Sequence, residues 1–222
     1  MTIDEKLNSV RAGVLGSNDG ILTVVGVLFS VSAASGSSFA LLIASLANLI
    51  SGAFSMASGE YASVSSQSDS EKVVVQEEKN ITEKKDFKNQ KAAVKDFYIE
   101  KGISPETSAE IANELLARKP LETVLSVKYD IALGHYMNPW QAAGSSLISF
   151  TIGGLFPLLT MILVKGVWQF PATIFATMLA MALTGMISAK LSDGLVIKAI
   201  LRNIIIGLLT IFIHYFIGRI LG

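Results

Sequence analysis

Val14–Ala34 reads VLGSNDGILTVVGVLFSVSAA, an apolar run interrupted by Ser17-Asn18-Asp19-Gly20. Asp19 is the only carboxylate in it. An ionised carboxylate at the centre of a membrane helix costs roughly 2.5–3.5 kcal/mol on insertion scales. Such a group is usually paired, faces a water-filled path or binds a cation. Asp19 is therefore read as a functional site. A second run, Asn48–Tyr61 (NLISGAFSMASGEY), lies on the next apolar stretch and is read as its companion.

The remainder of the chain fits a membrane protein. Of 222 residues 51% are hydrophobic, with a mean hydropathy of +0.53, above what an ordinary soluble domain carries. Eighteen basic residues balance 18 acidic ones, so net charge points to no nucleic-acid partner. There is no cysteine and there are only two histidines, His135 and His214. That excludes disulfides, thiolate sites and imidazole-rich zinc sites. Any metal ligands must be carboxylate, amide, hydroxyl, carbonyl or thioether groups. The polar start MTIDEKLNSVRAG is not read as a cleavable signal peptide.

Five apolar segments of spanning length are expected, at about 13–34, 39–63, 141–164, 172–190 and 199–219. Residues 1–12 read as a polar arm. Between the second and third segments lies a polar insert, 64–138, expected to hold three helices. The first continues the second span without a break, because no Gly or Pro occurs from Glu60 to Lys101. The second starts at Ser104-Pro105, a cap followed by proline at the first helical position. The third starts at Pro120 and runs to about Leu133, with Gly134 ending it. The fold class is thus an all-α integral membrane protein, five transmembrane helices with a cytoplasmic three-helix insert. Its parts are 1–63, 64–138 and 139–222.

Lys and Arg assign the sides. The arm, the insert and the 190–198 loop hold 2, 11 and 2 of them, whereas the opposite face has only Lys165 and Arg219. The positive-inside rule puts the N-terminus and insert in the cytoplasm and the C-terminus across the membrane.

On the first span Gly16, Asp19, Thr23, Gly26 and Ser30 recur at helical steps. Asn48, Gly52, Ser55 and Gly59 do so on the second. For the Gly and Ser positions close helix packing is the plainer reading. Asn48 reads equally as a clasp between helices or a ligand. Met56 alone reads first as a gap filler. Glu60 falls at the membrane border, where a solvated carboxylate is cheap. In the insert, Glu60, Gln67, Glu71 and Glu78 lie within about 20° of one line on a continuous helix. Glu106, Glu110 and Glu114 step by four, a stripe suited to a solvated or lysine-paired face. A bound cation is the competing reading, and hard oxygen donors with an occasional thioether suit Fe²⁺ or Mn²⁺. His135 reads as a border residue and His214 as hydrogen-bonded within the bundle. Pro157 and Pro171 are expected to bend or start helices.

GSNDGILTVVGV, SGAFSMASGEYASVSSQSDSE, NPWQAAGSSLISFTIGGLFPLL and the terminal IGR together resemble the vacuolar iron transporter family, in order and over nearly the whole chain. The resemblance implies a homodimer with its ion path at the two-fold interface, and cytoplasmic Fe²⁺ or Mn²⁺ exported or sequestered in exchange for protons. Asp19 and Met56 match the family's ion-path aspartate and methionine, and the insert matches a metal-gathering helical domain. The eukaryotic form carries a glutamate where this chain has Asn48. It also carries a Met pair where Ser126-Val127 stand, with Asp130 replacing a following glutamate. The expected metal-handling residues are Asp19, Met56, Asn48, Glu60, Glu71, Glu78, Glu106, Glu110 and Glu114, with no resident cofactor. The expected location is the plasma membrane of a bacterium. The rival expectation is a non-transporting membrane protein whose insert docks a partner. An enzyme is not expected, as no nucleophile–base pair, HExxH or phosphate loop occurs.

Overall fold

A computed structural model describes residues 3–34, 37–84, 88–134 and 136–221, with side chains from residue 7. It holds eight α-helices among these residues: α1 Ile3–Ala34, α2 Ser38–Glu83, α3 Lys88–Glu100, α4 Pro105–Arg118, α5 Pro120–Tyr129, α6 Pro139–Leu163, α7 Gln169–Leu191 and α8 Val196–Leu221. A 3₁₀ turn, Gly166–Trp168, leads into α7. Five helices are long and apolar enough to cross a membrane: α1 from Leu7, α2, α6, α7 with its preceding turn, and α8. At 1.5 Å per residue the 25 residues of α6 span about 37 Å, more than the roughly 30 Å hydrocarbon layer. The chain divides into two compact units, residues 1–63 with 138–222, and residues 64–137.

In the first unit α1 is the central helix and packs on α6, α7 and α8. Its contact with α6 runs backbone to backbone. A Cβ on Gly20 would run into the Phe150 carbonyl, and one on Gly153 would run into the Ser17 carbonyl. The core beside this seam joins Val24, Val25 and Leu28 of α1, Leu49 and Ala53 of α2, and Phe150, Leu158 and Met161 of α6. Without a hydrophobic drive between helices in lipid, such close approach is what small residues contribute. The start of α6 is set by Asn138, whose Oδ1 accepts from the Trp140 and Gln141 amides at 3.0 and 3.4 Å, with Pro139 at the first helical position. Pro157 lies buried inside α6, and Pro171 falls in the first turn of α7.

The expected polar arm is instead helical from Ile3. The reason is packing: Ala12 is fully buried, and Ser145 Oγ on α6 donates to the Ser9 carbonyl at 2.7 Å.

The second unit corrects the expected unbroken helix to residue 101. α2 ends at Glu83 and α3 begins at Lys88. Residues 12 apart on one helix stand about 18 Å apart, yet Gln90 Nε2 donates to Glu78 Oε2 at 3.4 Å. Only a reversal of the chain lets Gln90 meet that buried carboxylate. Three helices, α3 to α5, thus follow the end of α2. Val94, Ala112, Leu116 and Val124 form their core, with Tyr98 and Val127 against it. α4 starts as expected, with Ser104 Oγ accepting from the Thr107 amide at 3.3 Å and Pro105 next. α5 stops at Tyr129 rather than Leu133, because Asp130 turns left-handed at φ 55°, a conformation Asp tolerates better than most residues.

Replacing Gly153 by leucine is expected to force α1 off α6, with a loss above the roughly 1–3 kcal/mol typical of overpacking because backbone stands in the way. Gly144→Ala, inside α6 where a Cβ meets nothing within 4 Å, should not destabilise and should gain up to about 1 kcal/mol of helix propensity. Thermal unfolding of both variants in detergent checks this.

Candidate functional site

The motif on α1 is held residue by residue. Gly16 lies against the Ser146 backbone of α6 and Gly20 against Phe150. The Ser17 hydroxyl meets Thr184 Oγ1 of α7 at 3.5 Å. Asn18 Oδ1 accepts from Asn203 Nδ2 of α8 at 3.3 Å, and the same amide nitrogen also reaches the Met181 carbonyl at 3.3 Å. Four of these five residues are thus committed to three neighbouring helices.

Asp19 is the exception. It is partly buried, and its carboxylate has no hydrogen bond or ion pair with any described residue. Thr23 Oγ1 donates to the backbone carbonyl of Asp19, not to the carboxylate. The side chain that is dearest to keep unpaired in a membrane is the one the fold leaves free.

Asn203 is a residue the sequence reading missed. It is 4% exposed and stands alone as an amide in the apolar run AILRNIIIGLL. The rule that singled out Asp19, a polar group inside a span, could have found it. Thr184, also buried, was missed for a plainer reason, since a threonine in a membrane helix can satisfy itself on its own backbone, as this one does on the Ala180 carbonyl at 2.9 Å.

On α2, Asn48 is partly buried and its amide makes no hydrogen bond among the described residues, with Nδ2 fully enclosed. A buried amide without a partner is costly and fits either earlier reading of this residue. Met56 packs partly buried against the core cluster, the gap-filling role its type favours.

Glu60 is not the solvated border carboxylate expected of its position. It is 7% exposed and pairs with Arg11 of α1 at 3.4 Å, while Arg11 also donates to Asn8 Oδ1 at 3.1 Å. The helix hydrogen-bonds its own polar arm across to α2, which hides the carboxylate. Tyr61, next to Glu60 on α2, meets Trp140 of α6 with tilted rings and centroids 4.7 Å apart, an aromatic pair of the kind that marks a membrane interface.

His214 is hydrogen-bonded within the bundle, as expected. Nδ1 lies 2.9 Å from the Thr210 carbonyl, and the ring rests over Gly26 of α1. His135 lies outside the described residues.

In the insert, the glutamates do not converge. Glu71 accepts from Gln67 at 3.0 Å, and Glu114 pairs with Arg118 at 2.8 Å. Glu106 and Glu110 are exposed on the outer face of α4, opposite buried Ser108, Ala112 and Leu116. Among the described residues no group of three or more His, Cys, Asp or Glu is placed to hold one metal ion.

Glu78 is the insert's distinctive carboxylate, 2% exposed. Lys128 and Tyr129 of α5 both donate to Oε1, Tyr129 at 2.9 Å, and Gln90 of α3 donates to Oε2. Burial alone would raise its pKa. The hydrogen bonds from Lys128, Tyr129 and Gln90 and the charge of Lys128 outweigh this and hold it below the usual range. For Lys128 burial would lower the pKa, and its bonds to Glu78 and Tyr129 raise it instead. The stabilisation from Glu78 is therefore present above the ordinary carboxylate pKa of about 4.3 and lost as pH falls through its depressed value. That from Lys128 is present below about 10.4 and lost as pH rises through its raised value.

The sequence model of the VIT family matches residues 10–219. A protein named vacuolar iron transporter from Acanthamoeba castellanii (strain ATCC 30010 / Neff) is 31% identical over 153 residues, 68% of this chain. The chain spans about half the length of that relative, 54%.

Lys128→Met in the full chain is expected to destabilise the insert by about 3 kcal/mol, the low end for breaking a buried pair, because Lys128 is a third exposed. Amide hydrogen exchange at pH 7 should speed up in α3–α5 and not in α6–α8. In the wild type, protection is expected to fall as acid protonates Glu78 through its depressed pKa, and Glu78→Gln should remove that acid dependence.

Proposed function

The chain belongs to the VIT family, and on that premise we propose that it carries a divalent transition metal, Fe²⁺ or Mn²⁺, out of the cytoplasm in exchange for protons. It is an integral membrane protein with five helices of spanning length. The observation that carries the proposal is Asp19. It is the carboxylate of the first span, and it has no partner while its neighbours on both sides are fastened to α6, α7 and α8. A carboxylate in hydrocarbon needs a cation or a proton. Alternation between the two is the elementary step of an antiporter.

In this reading metal bound at Asp19 leaves when a proton neutralises the carboxylate, and a proton leaves when metal returns. Asn48 supplies an amide oxygen and Met56 a soft thioether, donors compatible with Fe²⁺ and Mn²⁺ alike. Asn48 does not titrate, so the proton is assigned to Asp19. Glu60 lies nearer the cytoplasmic end, where Arg11 holds the place of a cation on it. Glu106 and Glu110 on the exposed face of α4, with Glu71 and Glu114 as further carboxylates of the insert, raise the local metal concentration. Glu78 joins them only when Lys128 lets go.

The functional unit is a homodimer. In support, only 17% of the most apolar stretch of α2 is buried within one chain, the least of the five spans; on α2 the enclosed Asn48 amide has no hydrogen-bond partner among the described residues, and a Cβ on Gly59 would meet nothing within 4 Å. The N-terminus and insert are assigned to the cytoplasm by the Lys/Arg distribution, and the membrane is assigned as the bacterial plasma membrane.

The test is metal flux into proteoliposomes under an imposed pH gradient, with internal pH followed in the same vesicles. Wild type should move Fe²⁺ or Mn²⁺ against protons, and Asp19→Asn should lose flux by two orders of magnitude or more while eluting and melting as wild type does. Full flux from Asp19→Asn would remove the central assignment. Absence of flux from folded wild type would favour a docking role for the insert.

A further inference from the structure

Between α1, α7 and α8, at the C-terminal ends of α1 and α8, lies a groove of about 950 Å³. Its walls are apolar. Phe29 and Phe170 meet edge to face with centroids 5.7 Å apart, and Ile211 and Phe212 of α8 complete the lining. Phe212 is 61% exposed, so the groove opens sideways from the helix bundle. At one end stand Tyr215 and Arg219, one helical turn apart and so on the same side of α8. Arg219 is exposed and has no ion pair or hydrogen bond with any described residue.

Two further observations say what fills this groove. First, the chain has no Asp or Glu in residues 20–59 or 194–222, which supply α1 and α8 here, and none in 131–192, which supply α7. Among the described residues no acidic side chain meets Arg219, and none lines the groove. Second, Trp168, 70% exposed, stands just ahead of α7 at the same end as Phe170. An exposed Trp at a span's end marks headgroup depth. A cation at that depth beside an apolar channel is the complement of a lipid with a negative headgroup.

We propose that this groove is a binding site for one anionic phospholipid. An acyl chain lies between Phe29, Phe170 and Phe212, and the phosphodiester takes the Arg219 fork, with the Tyr215 hydroxyl as a second donor. Because no carboxylate lines the groove, the amine of a zwitterionic headgroup finds no partner there, and a headgroup with net negative charge is preferred. The site lies away from Asp19, and the proposal stands whether or not Asp19 carries metal.

The experiment is native mass spectrometry of the delipidated full chain, incubated with phosphatidylglycerol or with phosphatidylcholine of identical acyl chains. Wild type should hold one phosphatidylglycerol per chain and prefer it over phosphatidylcholine by about fivefold, the worth of one basic side chain at a lipid surface. Arg219→Gln, a change at an exposed position, should keep the fold and lose the headgroup preference. Ala33→Phe, which projects a ring into the groove, should lose both lipids while Arg219 remains. Equal retention of both lipids by wild type, or a preference untouched by Arg219→Gln, would overturn the proposal. So would a groove closed by a second copy, seen as dimers without lipid that Ala33→Phe converts to monomers.

Discussion

The backbone contact between α1 and α6 is the constraint on which the first unit depends. Gly20 and Gly153 let the two helices approach until each one's carbonyl occupies the other's missing side chain. This sets the rotation of α1 about its own axis. Once Gly16 and Gly20 face α6, a 100° step per residue turns Ser17 and Asn18 toward α7 and α8, where Thr184 and Asn203 receive them. Asp19 then has nowhere to go among these three helices. Its lack of a partner follows from the placement of the glycines beside it.

Three carboxylates show three ways of meeting the cost of burying charge. Glu78 is surrounded by Lys128, Tyr129 and Gln90, so its ionised form is favoured over the neutral one despite burial. Glu60 has one longer ion pair, at 3.4 Å to an arginine that is 60% exposed. Asp19 has none. An internal cation that satisfies a carboxylate completely also competes with any external one. The order from Glu78 through Glu60 to Asp19 is accordingly one of rising availability to an external cation. Along α4, Glu106 and Glu110 are exposed and Glu114 is taken by Arg118, so that stripe holds no buried carboxylate in need of a cation.

The five spans and the capped helices were legible because their signals are local or additive. Hydropathy summed over some 20 residues swamps single exceptions, and Ser104-Pro105 acts within one turn. The break after Glu83 was not legible. No breaker residue marks it, and its cause is a meeting between Glu78 and Gln90 that exists only once the chain has folded back. The burial of Glu60 was hidden in the same way, since Arg11 is 49 residues away in sequence. Asp130 ended α5 early through a left-handed backbone turn that a non-glycine residue rarely adopts.

By itself, then, the sequence determined that this protein is a five-span helical membrane protein with a polar insert, and that Asp19 is the one carboxylate in its first apolar run. Those conclusions need only the cost of moving groups from water to hydrocarbon, which each residue carries with it. Tertiary structure alone decided which charges are already spoken for. Ion pairing depends on distances of 3 to 4 Å between residues far apart in the chain, and no pattern along one helix specifies them. That Glu78 and Glu60 are paired while Asp19 stands free is a property of how α1, α2 and α5 are held by their neighbours.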